Sequence, residues 1–264
     1  MHPRFAAALL CTATLTACNG YFGVSSGDGD GGGGTTSDAQ GIWTGTTSDR
    51  FVFNLLVTPD NQVWALSYDE TINTAQSLFR GTGTTSGRNF TGTGKTYATG
   101  AAGAVNSTTV VATVANAATF DGTLAQNITF TSTFSNQYNT AAALADYAGT
   151  WVGRDSTGSN VTFTIQSNGS YTANSTVAGK VGTCAITGSF ATTSFGKNYT
   201  NATASFGGTS NCADKLATQS LTQGVGIRMV DSDTTKQPLL LVETVNAGQT
   251  LGWYAYARKQ VATP

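Results

Sequence analysis

A cysteine near the start of the chain, Cys18, is the residue whose type and position most directly imply chemistry. It follows two small residues, Thr16 and Ala17, which come after an apolar segment at positions 5–15 and the positive charge of Arg4. A basic end, an apolar core too short to span a bilayer and a small-residue cleavage site are the parts of a secretory signal. The sequence therefore predicts export, with residues 1–17 as the signal peptide and Cys18 at the new amino terminus.

The four residues Leu15-Thr16-Ala17-Cys18 resemble the lipobox of bacterial lipoproteins. The resemblance implies that the Cys18 thiol is diacylated, that the chain is cut before it and that the new amino group is acylated. An ordinary signal peptide with a chance cysteine is the alternative. Asn19 stands where an aspartate would retain a lipoprotein in the inner membrane, which implies transfer to the outer membrane. Whether the protein would lie on the periplasmic or the surface face stays open.

Groups that could catalyse a reaction are scarce in this chain. The only histidine, His2, lies in the leader, so the mature protein would lack the usual general base and the usual imidazole metal ligand. Four acidic residues are candidates for a carboxylate-dependent hydrolase by residue type: Asp69, Glu70, Asp231 and Asp233. Aspartate-rich turns are more typical of solvated loops, and residues 92–96 lack the glycine spacing of a phosphate loop. We expect no catalysis, no cofactor and no metal.

The composition excludes several classes of partner. Of the 264 residues only 10% are charged, and the formal net charge is −1, so nothing indicates a nucleic-acid surface. After the leader no apolar run approaches the length of a transmembrane helix, and a membrane partner would be reached through lipid. The glycine-rich residues 18–40 cannot bury a core and are expected to form a flexible tether.

Two cysteines remain for the folded part, Cys184 and Cys212. An exported protein is expected to join such a pair in a disulfide, because its compartment is oxidising. A pair of buried free thiols is the alternative.

The rest of the sequence looks duplicated. The segment Gly41-Ile42-Trp43-Thr44-Gly45 returns at 149–153, and Gly87-Arg88-Asn89-Phe90-Thr91 returns at 196–200. Both halves run strand, turn, strand, with period-two alternation closed by turn residues. The sequence thus predicts two β domains, at 41–140 and 149–264, joined by a short helical connector at 141–148.

Eight short strands fit the length of each half. After the Gly-x-Trp strand, they are predicted at 51–57, 63–68, 78–83, 90–97, 109–114, 118–124 and 128–134, and then at 161–165, 171–177, 184–190, 199–206, 225–230, 239–244 and 252–258. Sequential antiparallel strands hide their edges best by closing into a barrel. We therefore expect an all-β fold of two tandem antiparallel β-barrels, with a pair of open sandwiches as the alternative.

The Gly-x-Trp elements resemble the first strands of the calycins, the superfamily of lipocalins and avidins, where the tryptophan plugs one end of a barrel. Residues 149–172 are most similar to the first hairpin of the avidins. The resemblance implies a ligand cavity in each barrel, lined by Trp151, Tyr171 and Trp253 in one and by Trp43 and Trp64 in the other. The alternative is that these rings are repeated core plugs.

The layout of lipobox, tether and two barrel lobes resembles the surface lipoproteins of Gram-negative bacteria, such as transferrin-binding protein B and factor H-binding protein. We expect a non-catalytic outer-membrane lipoprotein that binds a protein, a glycan or a small ligand, and not nucleic acid. A carrier of a small hydrophobic ligand is the alternative, followed by a hydrolase that uses carboxylates.

Overall fold

Strands form almost all of the regular structure in this computed structural model. It describes residues 38–72, 74–100, 104–124, 127–208, 210–230 and 237–261. The predicted signal peptide, Cys18, all but the last three residues of the predicted tether, and the two candidate carboxylates Asp231 and Asp233 lie outside the described residues. No helix among the described residues has the length and apolar character needed to cross a bilayer.

The first barrel is built from eight described strands in chain order, each antiparallel to the next. Its wall closes where the last strand pairs with the first, from Trp43 opposite Phe134 to Thr47 opposite Phe130. The strands are β1 (Gly41–Thr47), β2 (Val52–Val57), β3 (Gln62–Asp69), β4 (Thr74–Ser86), β5 (Asn89–Ala98), β6 (Val105–Ala115), β7 (Thr119–Leu124) and β8 (Ile128–Phe134).

The second barrel repeats this arrangement. Its strands are β9 (Gly149–Asp155), β10 (Asn160–Ile165), β11 (Ser170–Thr176), β12 (Cys184–Thr192), β13 (Thr200–Phe206), β14 (Ser220–Leu221), β15 (Gln223–Met229), β16 (Leu239–Val245) and β17 (Gly252–Lys259). In the described part of the chain, β17 pairs with β9, and β13 pairs with both β12 and β15, so eight strands form a closed ring. The short β14 pairs with β13 beside that ring. The predicted all-β fold is confirmed, with closed barrels in place of open sandwiches.

A short irregular segment connects the two barrels. It contains a 3-10 turn at Asn136–Asn139 and a single helical turn, α1 (Leu144–Tyr147). The helical prediction is met only in its second half, because Ala143 is extended and the Ala142 amide bonds the Lys197 carbonyl at 3.0 Å. So short a helix depends on tertiary packing for its stability, and here Tyr147 is buried under the second barrel.

The alternation of side chains along each strand produces three separate layers of core. One cluster fills part of the first barrel and a second fills the interior of the second barrel. The third lies between the barrels, where Tyr68 meets Tyr256 with ring centroids 4.6 Å apart. The Tyr254 hydroxyl crosses the same interface, 2.9 Å from the Thr99 hydroxyl and 3.1 Å from the Tyr97 carbonyl. The described residues accordingly belong to one compact unit.

Candidate functional site

One end of the first barrel is closed by aromatic side chains. Trp43 lies inside, with its ring 5.5 Å from that of Phe120, and Phe120 in turn lies 5.0 Å from Phe90. The Trp43 indole N–H donates to the carbonyl of Ala39, four residues earlier, at 3.0 Å. The indole N–H of a buried tryptophan usually finds a hydrogen-bond partner, and here the chain entering the first strand supplies it. Trp43 therefore acts as a plug at this end.

The opposite end of the first barrel is open. Here the barrel encloses a cavity of about 340 Å³, reached from the end where β1 finishes and β2 begins. Its deeper wall is apolar, and Phe53 and Phe130 meet edge to face at 5.4 Å. The lining side chains are those of Thr47, Asp49, Phe51, Phe53, Leu55, Ala65, Ser67, Gln76, Ser77, Phe79, Thr96, Ala98, Asn106, Thr108, Val110, Leu124, Ile128 and Phe130. We call this space the barrel cavity.

Small residues at inward positions keep the barrel cavity hollow. Ala65 pairs directly with Leu55 and Phe79 and faces inward with them, and Ser67 and Ser77 occupy inward positions nearer the mouth. An eight-stranded barrel has just enough interior for side chains to fill, or to hold one small ligand. Because these side chains are small, the interior of the first barrel keeps room for a small ligand.

The polar groups of the barrel cavity are mostly satisfied by each other. The hydroxyls of Ser67 and Ser77 lie 2.7 Å apart, and those of Thr96 and Thr108 are separated by the same distance. Asp49 is the one ionisable side chain among the described residues of the lining. The apolar wall can bind the apolar part of a ligand by removing it from water. The hydroxyl and amide groups near the mouth can form hydrogen bonds with its polar part.

The corresponding end of the second barrel is plugged. Trp253 lies in its packed interior, 5.6 Å from Phe206 and 6.0 Å from Phe163. The segment between β13 and β14 adds the buried side chains of Cys212, Ala213 and Leu216 to the same cluster. The predicted disulfide between Cys184 and Cys212 is present and ties this segment to the start of β12.

The aromatic residues predicted to line cavities are therefore distributed differently. Trp151 repeats the plug of the first barrel, with its indole N–H donating to the Tyr147 carbonyl at 2.7 Å. Tyr171 lies in the same packed interior, where its hydroxyl donates to the Thr203 carbonyl at 2.7 Å. Burial raises the pKa of Tyr171, so it remains a neutral donor. Trp151, Tyr171 and Trp253 all belong to the packed core of the second barrel. None of them borders the barrel cavity.

Trp43 and Trp64 do not share a cavity, because they lie on opposite faces of the barrel wall. Directly paired residues of neighbouring strands share a face, and Trp43 pairs with Leu55 whereas Trp64 pairs with Leu56. Leu55 faces inward and Leu56 faces the second barrel. Trp64 thus belongs to the cluster between the barrels.

The residues that line the barrel cavity, above all Phe53, Phe79 and Phe130, were not predicted from the sequence. The alternation in β2 placed Phe53 and Leu55 on one face, but it does not tell which end of a barrel is open. The signal that was available is the lack of a bulky residue at inward positions 65, 67 and 77.

The acidic pair Asp69 and Glu70 lies at a turn. The Asp69 carboxylate accepts hydrogen bonds from the amide and hydroxyl of Thr71, at 2.8 and 2.6 Å, and these bonds lower the pKa of Asp69. Glu70 lies 3.9 Å from Arg258. Within the described residues no group of three His, Cys, Asp or Glu side chains is placed to hold a metal ion.

Among solved structures, the chain is similar to a protein of unknown function from the DUF3598 family of Nostoc punctiforme. The sequence identity is 10% and the TM-score is 0.26, over 84% of this chain and 96% of that chain. No protein-family model matches the chain, and no curated protein matches it in sequence.

Proposed function

We propose that this protein is a non-catalytic lipoprotein of the bacterial cell envelope whose first barrel binds a small, mainly apolar ligand. The observation that supports binding is the barrel cavity, which is open at one end and lined by aromatic and aliphatic side chains. Its volume of about 340 Å³ falls in the range of sites for small organic molecules. Burial of apolar ligand surface against these walls would supply most of the affinity.

The lining also restricts the charge of the ligand. Asp49 near the mouth is acidic, and no lysine or arginine is found among the described residues of the wall. An anionic head group placed there would lose hydration without gaining a cationic partner. A neutral or cationic ligand with an apolar body fits the chemistry better than a fatty acid does.

Anchoring of the protein belongs to the same proposal and is supported by the lipobox resemblance. Acyl chains on Cys18 would hold the protein on the outer membrane, since stable attachment takes more than one chain. The tether at 18–40 would then place the barrels away from the bilayer. In this arrangement the membrane is a partner through lipid only.

The binding proposal is tested with a neutral apolar fluorophore, N-phenyl-1-naphthylamine, titrated into the mature chain carrying Cys18→Ser so that detergent is not needed. Ala65→Phe would fill the barrel cavity, and we expect it to weaken binding at least about tenfold. Val111→Phe is the matched control, because Val111 is exposed on the outside of the same barrel. Equal binding by the wild type and Ala65→Phe would show that the fluorophore does not bind in the barrel cavity.

The anchoring proposal is tested separately by fractionating cells. Cys18→Ala should release the protein from the membrane fraction, and mass spectrometry of the wild type should show an acylated amino terminus at Cys18. A Cys18→Ala variant that still sediments with membranes would contradict the anchor while leaving the binding proposal intact.

A further inference from the structure

A second concave site lies between the two barrels, away from the barrel cavity. It is a groove of about 410 Å³ with polar walls, and we call it the junction groove. Its first-barrel wall includes Asp60, Gln62 and Arg80, and its second-barrel wall includes Phe195, Tyr199 and Gln223. Sites at the junction of two domains are common places for small ligands.

The first-barrel wall of the junction groove carries a chain of hydrogen-bonded planar side chains. The Gln62 amide donates to Asp60 at 2.6 Å, and its carbonyl oxygen accepts from Arg80 at 2.8 Å. The Arg80 guanidinium also lies over the Trp64 ring, 4.5 Å from its centroid. These contacts fix the three polar side chains before any ligand arrives, which lowers the entropy cost of binding.

This polar chain has capacity left for a ligand. A carboxylate can accept about four hydrogen bonds and a guanidinium has five N–H donors. Asp60 accepts side-chain hydrogen bonds from Thr58 and Gln62, and Arg80 donates to Gln62 and to the Gly81 carbonyl. Donors and acceptors therefore remain side by side on neighbouring planar groups.

The charges of the groove balance each other. Although burial opposes it, the hydrogen bonds from Thr58 and Gln62 and the positive charge of Arg80 lower the pKa of Asp60. Asp60 is thus ionised at neutral pH and offsets Arg80. A ligand with a net charge would gain from one of them and be repelled by the other, which favours a neutral ligand.

Part of the second-barrel wall, at Phe195 and Tyr199, comes from a loop that is longer than its counterpart in the first barrel. In the first barrel, Gly87 and Arg88 make a tight turn between β4 and β5, with Ser86 opposite Asn89. The equivalent β12 and β13 separate after Thr192 opposite Thr200, and residues 193–199 form a longer loop. A loop that is longer than the equivalent turn in a related domain often carries functional residues.

The longer loop brings aromatic side chains to the groove. Phe195 lines it while remaining 45% exposed, and Tyr199 lies deeper, with 2% of its surface exposed. Burial raises the pKa of Tyr199 to about 12, so its hydroxyl stays protonated. An exposed ring beside fixed planar polar groups offers an apolar contact next to hydrogen-bonding groups.

We propose that the junction groove binds a neutral saccharide unit. A sugar ring presents adjacent hydroxyls, each a donor and an acceptor, which match the alternating groups of Asp60, Gln62 and Arg80. Its C–H face can cover Phe195, and its neutrality suits the balanced charges. The site is separate from the barrel cavity and does not depend on it.

The test is calorimetric titration of the purified protein with neutral sugars and charged counterparts. The panel is glucose, galactose, mannose, N-acetylglucosamine and their β1,4-linked dimers, with glucuronic acid and inorganic phosphate as charged probes. We expect at least one neutral sugar to bind, and Phe195→Ala and Gln62→Ala each to weaken it about tenfold or more. Phe195 is half exposed, so its variant should keep the melting temperature of the wild type.

Two controls make the result decisive. Val111→Ala, on the outside of the first barrel, should leave sugar binding unchanged. Ala65→Phe, which fills the barrel cavity, should leave it unchanged as well. Absence of binding by every neutral sugar at millimolar concentration, preference for phosphate or glucuronic acid, or unaltered binding by both groove variants would each overturn the proposal.

Discussion

Two glycines allow the barrels to close. Gly45 on β1 and Gly153 on β9 lie two residues after the plugging tryptophans. A Cβ at Gly45 would lie closer than 3.0 Å to the Thr131 carbonyl oxygen of β8, and one at Gly153 would lie equally close to the Tyr256 carbonyl oxygen of β17. The repeated Gly-x-Trp-x-Gly pattern thus combines a plug with a close approach of the first and last strands.

Gly45→Ala and Gly153→Ala should each destabilise the protein by about 2–4 kcal/mol, because the clashing atoms belong to backbone that cannot move without breaking the ladder. Urea unfolding followed by tryptophan fluorescence measures the loss. Gly207→Ala is the matched control, since its nearest neighbouring atom would be 3.4 Å away, and its effect should stay within about 0.5 kcal/mol. Three equal values would contradict this role for the two glycines.

Glu243 is a buried carboxyl group in the layer between the barrels. It is fully buried on β16, opposite Val225 and Tyr254, and neither of its carboxyl oxygens has a hydrogen-bond partner among the described residues. Burial without a partner disfavours the charged form and raises the pKa of Glu243 well above 4.5. Between the two pKa values the folded state therefore retains a proton that the unfolded chain has released.

This proton makes stability depend on pH in a definite direction. The contribution of Glu243 is fully present below the pKa of the unfolded chain and is lost as pH rises toward the raised pKa of the folded state. Glu243→Gln should remove this dependence, so its stability relative to the wild type should rise with pH above the pKa of an unfolded glutamate, by up to about 1.4 kcal/mol per pH unit. Urea unfolding across that range measures the difference. Val111→Ala, which changes no ionisable group, should show no such growth, and parallel pH profiles for Glu243→Gln and wild type would contradict this role of Glu243.

At the scale of the candidate sites, the sequence indicated the tryptophans but not their surroundings. Trp43 and Trp151 each lie two residues after a repeated glycine, and the resemblance of this Gly-x-Trp element to the calycins implied a plug in each barrel. That Trp64 faces outward follows only from strand register, which pairs it with Leu56. The groove residues Gln62 and Arg80 are 18 positions apart along the chain, and no local pattern joins them.

At the scale of strands, every predicted strand is present, and the ends differ most where the sequence is polar. The sequence predicted a strand at 78–83, and β4 runs from Thr74 to Ser86. Its added residues are Thr, Ser and Gln apart from Ala75, and they lack the apolar alternation that marks a strand. Those at the start of β4 pair with β3 and those at its end pair with β5, which is a tertiary effect. The short β14 was missed for the same reason.

The disulfide fixes the element that distinguishes the two barrels. Cys184 and Cys212 are 28 residues apart, and cross-linking a loop of that size contributes about 3–4 kcal/mol in the chain-entropy description. Replacing both cysteines by alanine should lower the free energy of unfolding by that amount. The same change should also expose the segment around Leu216 to proteolysis in the native state, because this segment would lose its covalent link to β12.

Limited proteolysis with mass spectrometry and urea unfolding measure the two effects. The Lys180→Ala variant removes the exposed ion pair between Lys180 and Asp214 and serves as control, with a change below about 1 kcal/mol. Full stability and unchanged protease resistance in the double alanine variant would show that the segment stays docked without the bond.

At the scale of the whole molecule, the duplication gives two barrels of one design that differ at one end. Both keep the tryptophan plug with its indole bonded four residues back. They differ at the far end, where the first barrel is open and the second is covered by the disulfide-tied segment. One copy thus remains hollow, and the other is a solid support against which the first barrel packs.

That packing predicts that both barrels unfold together. The layer between them buries side chains from each barrel, including Leu66 on β3 and Leu241 on β16, and separating the barrels would expose this apolar surface to water. We expect hydrogen-exchange mass spectrometry through a urea series to give one midpoint for peptides of both barrels. Leu241→Ala should lower the stability by about 2–5 kcal/mol and move both sets of peptides equally, although Leu241 belongs to the second barrel. Val111→Ala should move neither, and two distinct midpoints would mean that each barrel is stable without the shared layer.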